Sequence, residues 1–69
     1  MSEIIYEIKA ELGCLREFPN GWRKLVQIVN WNNSNDKIDI RDWDEDKTHM
    51  TRGITLTFDE FKKLKSIDV

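Results

Sequence analysis

A small α+β domain, four strands followed by one helix, is the fold this 69-residue chain predicts. Three observations carry the expectation. Residues 37–43, KIDIRDW, alternate apolar and polar side chains as a half-buried strand does. Turn-forming clusters at Pro19-Asn20-Gly21 and at Asn32 through Asp36 bracket a second β-patterned stretch. Thr57 with Glu60 spells a capping box, followed by an apolar stripe at three-residue spacing.

The first element, residues 4–18, is IIYEIKAELGCLREF. Ile4, Ile8 and Leu12 share a helical spacing, whereas Ile4, Tyr6, Ile8, Ala10, Leu12 and Cys14 alternate. The β-branched residues and the interior Gly13 favour a strand with a bulge or bend. The Pro19–Gly21 turn then leads by a hairpin into a second strand, residues 22–32. There Val26 and Ile28 share one parity, and Leu25, Gln27, Val29 and Trp31 the other. In the third strand, Ile38 and Ile40 oppose Asp39, Arg41 and Trp43. The run 44–49, DEDKTH, is polar throughout and reads as a loop, after which Arg52–Leu56 forms a short fourth strand. Thr57 is the N-cap of the helix, with Glu60 at N3 and Leu56 and Phe61 placed for a hydrophobic staple. Phe58, Phe61, Leu64 and Ile67 form its stripe, and Lys62, Lys63 and Lys65 suit its C-terminal dipole. A helix of about ten residues is marginal alone. The stripe therefore has to dock on the sheet or on a second subunit.

Composition bounds the function. One domain spanning residues 1–69 is expected, of a size at which a single core stabilises little and dimerisation helps. Charged residues make up 35% and hydrophobic ones 39%, which fits a soluble globular chain. No apolar run approaches the roughly 18 residues of a membrane span, so no membrane partner is expected. The opening MSEIIYEIK lacks the basic region of a signal peptide, and Cys14 has no second cysteine to pair with, so a cytoplasmic setting is expected. The net charge of −2 argues mildly against nucleic acid, which wants a basic footprint, unless charge is segregated onto separate faces.

Catalytic and metal-binding patterns are missing. The single histidine, His49, lies in the polar loop, and Cys14 with His49 falls short of the roughly four ligands of a structural zinc site. Read as a calcium loop from Asp42, the acidic run has Lys47 where glycine is needed and Gly53 where glutamate is needed. The glycines at 13, 21 and 53 build no phosphate cradle. No enzyme, cofactor or metal is expected.

What remains is aromatic and basic. Trp22, Trp31 and Trp43 lie among Arg and Lys between residues 21 and 57, and burying an indole requires a partner for its N–H. If the helix covers the Ile38/Ile40 face, then Trp31, Arg41 and Trp43 project from the other, with Arg52 at its edge. Nucleobases stack on such indoles for roughly 1–3 kcal/mol each, largely regardless of sequence. The alternative is that these tryptophans pack a second apolar layer or a dimer interface. Alternation alone slightly favours packing.

The same residues resemble the positive cofactor 4 family (the transcriptional coactivator p15), and above all its short bacterial, YdbC-like branch. The similarity runs through Gly21, Trp22, Lys24, Val29, Trp31 and Asn32, then Lys37, Asp39, Ile40, Arg41 and Trp43, then Met50, Gly53, Ile54, Thr55 and Leu56. It covers residues 21–64 with a loop of equal length. The resemblance implies a four-stranded, curved antiparallel sheet with a C-terminal helix, assembled as a homodimer that binds single-stranded DNA with little sequence preference. Carried across, it implies stacking on Trp31 and Trp43 and phosphate contacts from Lys24, Arg41 and Arg52, with Asp39 orienting Arg41 or its neighbours rather than touching DNA. Lys24 has the parity of Val26, so a bulge or twist must bring it round. Trp22 is expected to close the hairpin rather than to read a base. Two departures stand out: Leu25-Val26-Gln27 makes the second strand more apolar, and His49-Met50-Thr51-Arg52 carries one cation and one glycine fewer in the loop.

The expected function is therefore sequence-tolerant binding of single-stranded DNA, serving transcription, replication or repair. The alternatives are single-stranded RNA binding and a protein-interaction module using the aromatic face. On this reading Trp31→Ala and Trp43→Ala weaken binding without unfolding the chain, and unfolding by either would mark that indole as core.

Overall fold

The computed structural model describes residues 5–68, and its strands break where the polar clusters fall. They are β1 (Tyr6–Glu17), β2 (Arg23–Trp31), β3 (Asp36–Trp43) and β4 (Ile54–Leu56), followed by the helix α1 (Phe58–Ser66). Ile4, the expected first residue of β1, lies outside the described residues. The first turn is closed by the Phe18 N–H on the Trp22 carbonyl (2.7 Å) and the Gly21 N–H on the Phe18 carbonyl (3.0 Å). Gly21 adopts φ +92°, a backbone region that side chains disfavour. In the second turn Asn32 and Asn33 both have positive φ, 53° and 57°, and the Ser34 N–H reaches the Trp31 carbonyl at 3.0 Å. Asparagine tolerates that left-handed region better than most residues, which suits it to a tight hairpin.

The four strands form one antiparallel sheet in the order β1-β2-β3-β4. The β2–β3 ladder runs unshifted from Arg23↔Trp43 to Asn30↔Asp36. The β1–β2 ladder shifts three times, between Ile8 and Ala10, Glu11 and Gly13, and Cys14 and Arg16. In each case the extra residue is on β1, and each bulge bends and twists that strand. The bend foreseen near Gly13 is one of the three.

Register sorts the side chains onto two faces. Val26, Ile28, Ile38, Ile40, Ile54 and Leu56 share one, and α1 lies along it beside β3 and β4. Leu25, Gln27, Val29, Trp31, Asp39, Arg41, Trp43 and Thr55 share the other. The sheet curls strongly toward this second face. Tyr6 is paired across from Trp31, and Trp43 across from Arg23, eight residues away along β2. On a straight strand that separation is roughly 26 Å at about 3.3 Å per residue. Yet the Tyr6 and Trp43 ring centroids are 5.9 Å apart. The curl turns the inner part of the second face into the core, where Leu25, Val29 and Trp43 are buried. Ile38 is the fully covered residue on the helix side.

The helix starts as its sequence dictates. The Glu60 N–H donates to Thr57 Oγ1 (3.1 Å), and the Thr57 N–H donates to Glu60 Oε1 (2.8 Å), a complete capping box. Thr57→Ala leaves the Glu60 N–H without its acceptor and is expected to cost about 1 kcal/mol, read as a lower urea midpoint by circular dichroism. No residue of α1 is fully buried. Phe58, Leu64 and Ile67 of its stripe stay about half exposed, and an open apolar groove runs between Ile40, Ile54 and Leu56 of the sheet and Leu64 and Ile67.

Candidate nucleic-acid interface

The second face divides into a closed interior and an open lip, and the lip is built around Arg41. The carboxylate of Asp39, wholly buried, accepts from Arg41 Nε at 2.6 Å and from Arg41 Nη2 at 2.7 Å. It also accepts from Thr55 Oγ1 on β4, at 3.1 Å. Such a two-pronged contact fixes the guanidinium plane as well as its charge. Held this way, Arg41 lies over the Trp31 ring with its guanidinium carbon 4.8 Å from the centroid, and Nη1 reaches Met50 Sδ at 3.5 Å. Asp39 orients Arg41, as the sequence suggested. The same contact places a carboxylate directly against the arginine's charge and leaves its side chain only 12% exposed.

Trp31, Asn32, Arg41 and Thr55 line a shallow depression at this lip. Trp31 is half-buried, flanked by Tyr6 at 5.4 Å between centroids. Trp43 shares the face but not the exposure. At 1% accessible it is core, beneath Tyr6 and inside the curl, and its indole N–H has no partner among the described residues. The expectation that Trp43 projects from an open face is thus corrected: alternation assigned its face, and curvature closed that part of the face.

Lys24 needs the second correction. Its partners are Arg16 and Asp42, and the β2–β3 ladder contains no bulge, so it stays on the face of Val26, away from Trp31 and Arg41. Arg52 is exposed in the segment leading into β4. It lies outside the strand, which begins at Ile54 rather than at Arg52. Between them, Gly53 packs so closely on the Ile40 carbonyl and the Arg41 side chain that a β-carbon there would collide with both. Glycine is what lets this segment pass over Arg41. Trp22 flanks the first hairpin, where its backbone N–H donates to Asn20 Oδ1 at 3.1 Å and its carbonyl accepts from the Phe18 N–H.

The loop after Trp43 is more ordered than its polarity implied. The Asp44 carboxylate accepts from the Thr48 N–H (2.8 Å) and Thr48 Oγ1 (2.9 Å) and contacts His49 Nδ1 (2.9 Å). Partial desolvation opposes the charge, but the hydrogen bonds from His49 and Thr48 outweigh it and hold the Asp44 carboxyl well below the usual range. The loop thereby returns Met50 to Trp43 and carries Lys47 across to Glu11 of β1 at 2.9 Å. That exposed ion pair contributes little energy, but it spans the mouth of the curl.

Tyr6, Asn32 and Thr55 were not foreseen as lip residues. Alternation within residues 4–18 puts Tyr6 on a face with Ile8. Nothing local says that this face meets Trp43, because Trp43 lies two turns further along the chain and the meeting depends on how far the three β1 bulges bend the sheet.

A curled, open sheet with stacked aromatic and guanidinium groups on its helix-free face is the architecture of a nucleic-acid-binding sheet domain. The chain belongs to the Transcriptional Coactivator p15 (PC4) family, whose model matches residues 18–67. That family is one of nucleic-acid-binding, non-enzymatic domains. An uncharacterized protein of Treponema pallidum (strain Nichols) is 37% identical over 62 residues, a span covering 90% of this chain and 73% of the relative. This relative is bacterial, in keeping with the branch the motifs resemble.

Proposed function

We propose that the chain binds single-stranded DNA without strong sequence preference, as a cytoplasmic homodimer serving transcription, replication or repair. The observation that carries the reading is the Arg41–Trp31 stack, held rigid by Asp39 on the helix-free face and open at its lip. Trp31 offers an aromatic surface for a base, and Arg52, exposed two residues before β4, is a cation for a phosphate. A rigid platform loses little conformational freedom on binding, which favours affinity. Dimerisation draws support from the half-exposed Phe58, Leu64 and Ile67 and from the apolar groove beside them, a surface a second copy would cover.

A fluorescence-anisotropy titration with oligo-dT tests the reading. Log affinity is expected to fall with log salt at a slope near −0.7 per phosphate neutralised. Trp31→Ala is expected to weaken binding by about 1–3 kcal/mol while the fold survives, because this indole is only half-buried. No binding at low salt by a folded protein would refute the DNA reading and favour a protein partner on the same aromatic face. Matched rU and dT strands separate RNA from DNA, since stacking alone does not distinguish the sugars.

A further inference from the structure

Resting on the single-stranded DNA reading, we propose that Tyr6 is a nucleobase-stacking residue, the outer ring of an aromatic layer whose floor is Trp43. The Tyr6 ring lies 5.9 Å from Trp43 at 45° and 5.4 Å from Trp31 at 42°, so it touches both indoles. The two indoles differ in what they can offer a ligand. Trp43 is 1% exposed, and a base approaching it from the lip meets Tyr6 first. Trp31 has the Arg41 guanidinium lying over its ring. Tyr6 is 36% exposed, the most accessible ring of the three.

Its position is fixed from below and from the side. The neighbouring Ile5 exchanges two hydrogen bonds with the turn: its N–H donates to Asn32 Oδ1 (3.1 Å) and its carbonyl accepts the Asn32 N–H (2.6 Å). Asn32 also lines the depression with Trp31, Arg41 and Thr55, so the clasp ties Tyr6 to the lip of the proposed site. A ring held in this way, with only two side-chain torsions, stacks at low entropic cost. Trp43 then acts indirectly, by supporting Tyr6. The aromatic pair reaching a strand is Tyr6 and Trp31, in place of Trp31 and Trp43.

The test compares Tyr6→Leu and Tyr6→Phe with the unaltered chain on two ligands of equal length, oligo-dT and an abasic deoxyribose-phosphate strand. Stacking predicts a loss of roughly 5- to 150-fold for Tyr6→Leu on oligo-dT, little change on the abasic strand, and retained binding by Tyr6→Phe. An equal loss on both ligands, or none on either, overturns the role of Tyr6 and leaves DNA binding standing. Failure of the unaltered chain to bind oligo-dT takes down both readings. If Tyr6→Leu does not fold, photocrosslinking of the unaltered protein to a 5-iododeoxyuridine strand decides instead. Adducts on Tyr6 support the role, and adducts confined to other residues overturn it.

Discussion

Trp43→Ala is expected to unfold much of the population at room temperature, the largest effect of any substitution on the sheet face. Truncating a buried aromatic to alanine costs roughly 3–5 kcal/mol, through lost burial and the cavity left behind. A chain of this length has about 3–10 kcal/mol in total. Trp43 is fully enclosed, and its ring is where β1 meets β3 across the curl, so the cavity would open at the joint that keeps the sheet curved. Urea denaturation followed by far-ultraviolet circular dichroism reads the effect, with Trp43→Phe retaining more of the stability. A Trp43→Ala protein with an unchanged midpoint and lost oligonucleotide binding would show instead that the curl opens in solution and that Trp43 stacks directly.

Asp39→Asn is the second large effect expected. The carboxylate is wholly buried and accepts three hydrogen bonds, two of them from Arg41. Breaking a buried pair from one side costs about 3–5 kcal/mol, because the remaining charge has no compensation. Arg41 is 12% exposed, so part of that cost can be relieved by swinging the guanidinium into water. The loss is therefore expected near 3 kcal/mol. A double-mutant cycle with Arg41→Met isolates the coupling, since Arg41→Met alone leaves Asp39 buried and unpaired. Oligonucleotide binding is expected to weaken along with stability, as the arginine leaves the Trp31 ring. Equal midpoints for Asp39→Asn and the unaltered protein would mean that the clamp is not maintained in solution.

The elements that could be read from the chain are those fixed by local chemistry. β3 alternates, Thr57 and Glu60 close a capping box, and Asn32 and Asn33 occupy the left-handed turn positions that asparagine tolerates. The face shared by Trp31, Arg41 and Trp43 was legible too, because the β2–β3 ladder is unbroken and parity survives along it. Parity also kept Lys24 on the far face, against the role carried over from the family resemblance. Depth was the illegible quantity. Period-two alternation tells which side of a sheet a residue occupies, but it carries no information about how far the sheet bends. Three bulges on β1 supply that bend, and only Gly13 hinted at one of them. The same bend buries Trp43 and brings Tyr6 forward. β4 came out shorter than its pattern because Gly53 answers to a contact with Ile40 and Arg41, which no local signal announces.

Those bulges have a second consequence, for association between copies of the chain. β1 is an outer strand of twelve residues with Leu12 and Leu15 exposed along it and Ile5 exposed just before it, a composition that invites end-on growth into fibrils. A growing fibril needs a straight template with evenly repeating donors and acceptors. On β1 the longest stretch without a shift is three residues, too short for an incoming strand to zip onto. The kinks that shape the sheet also keep its apolar margin from seeding a stack.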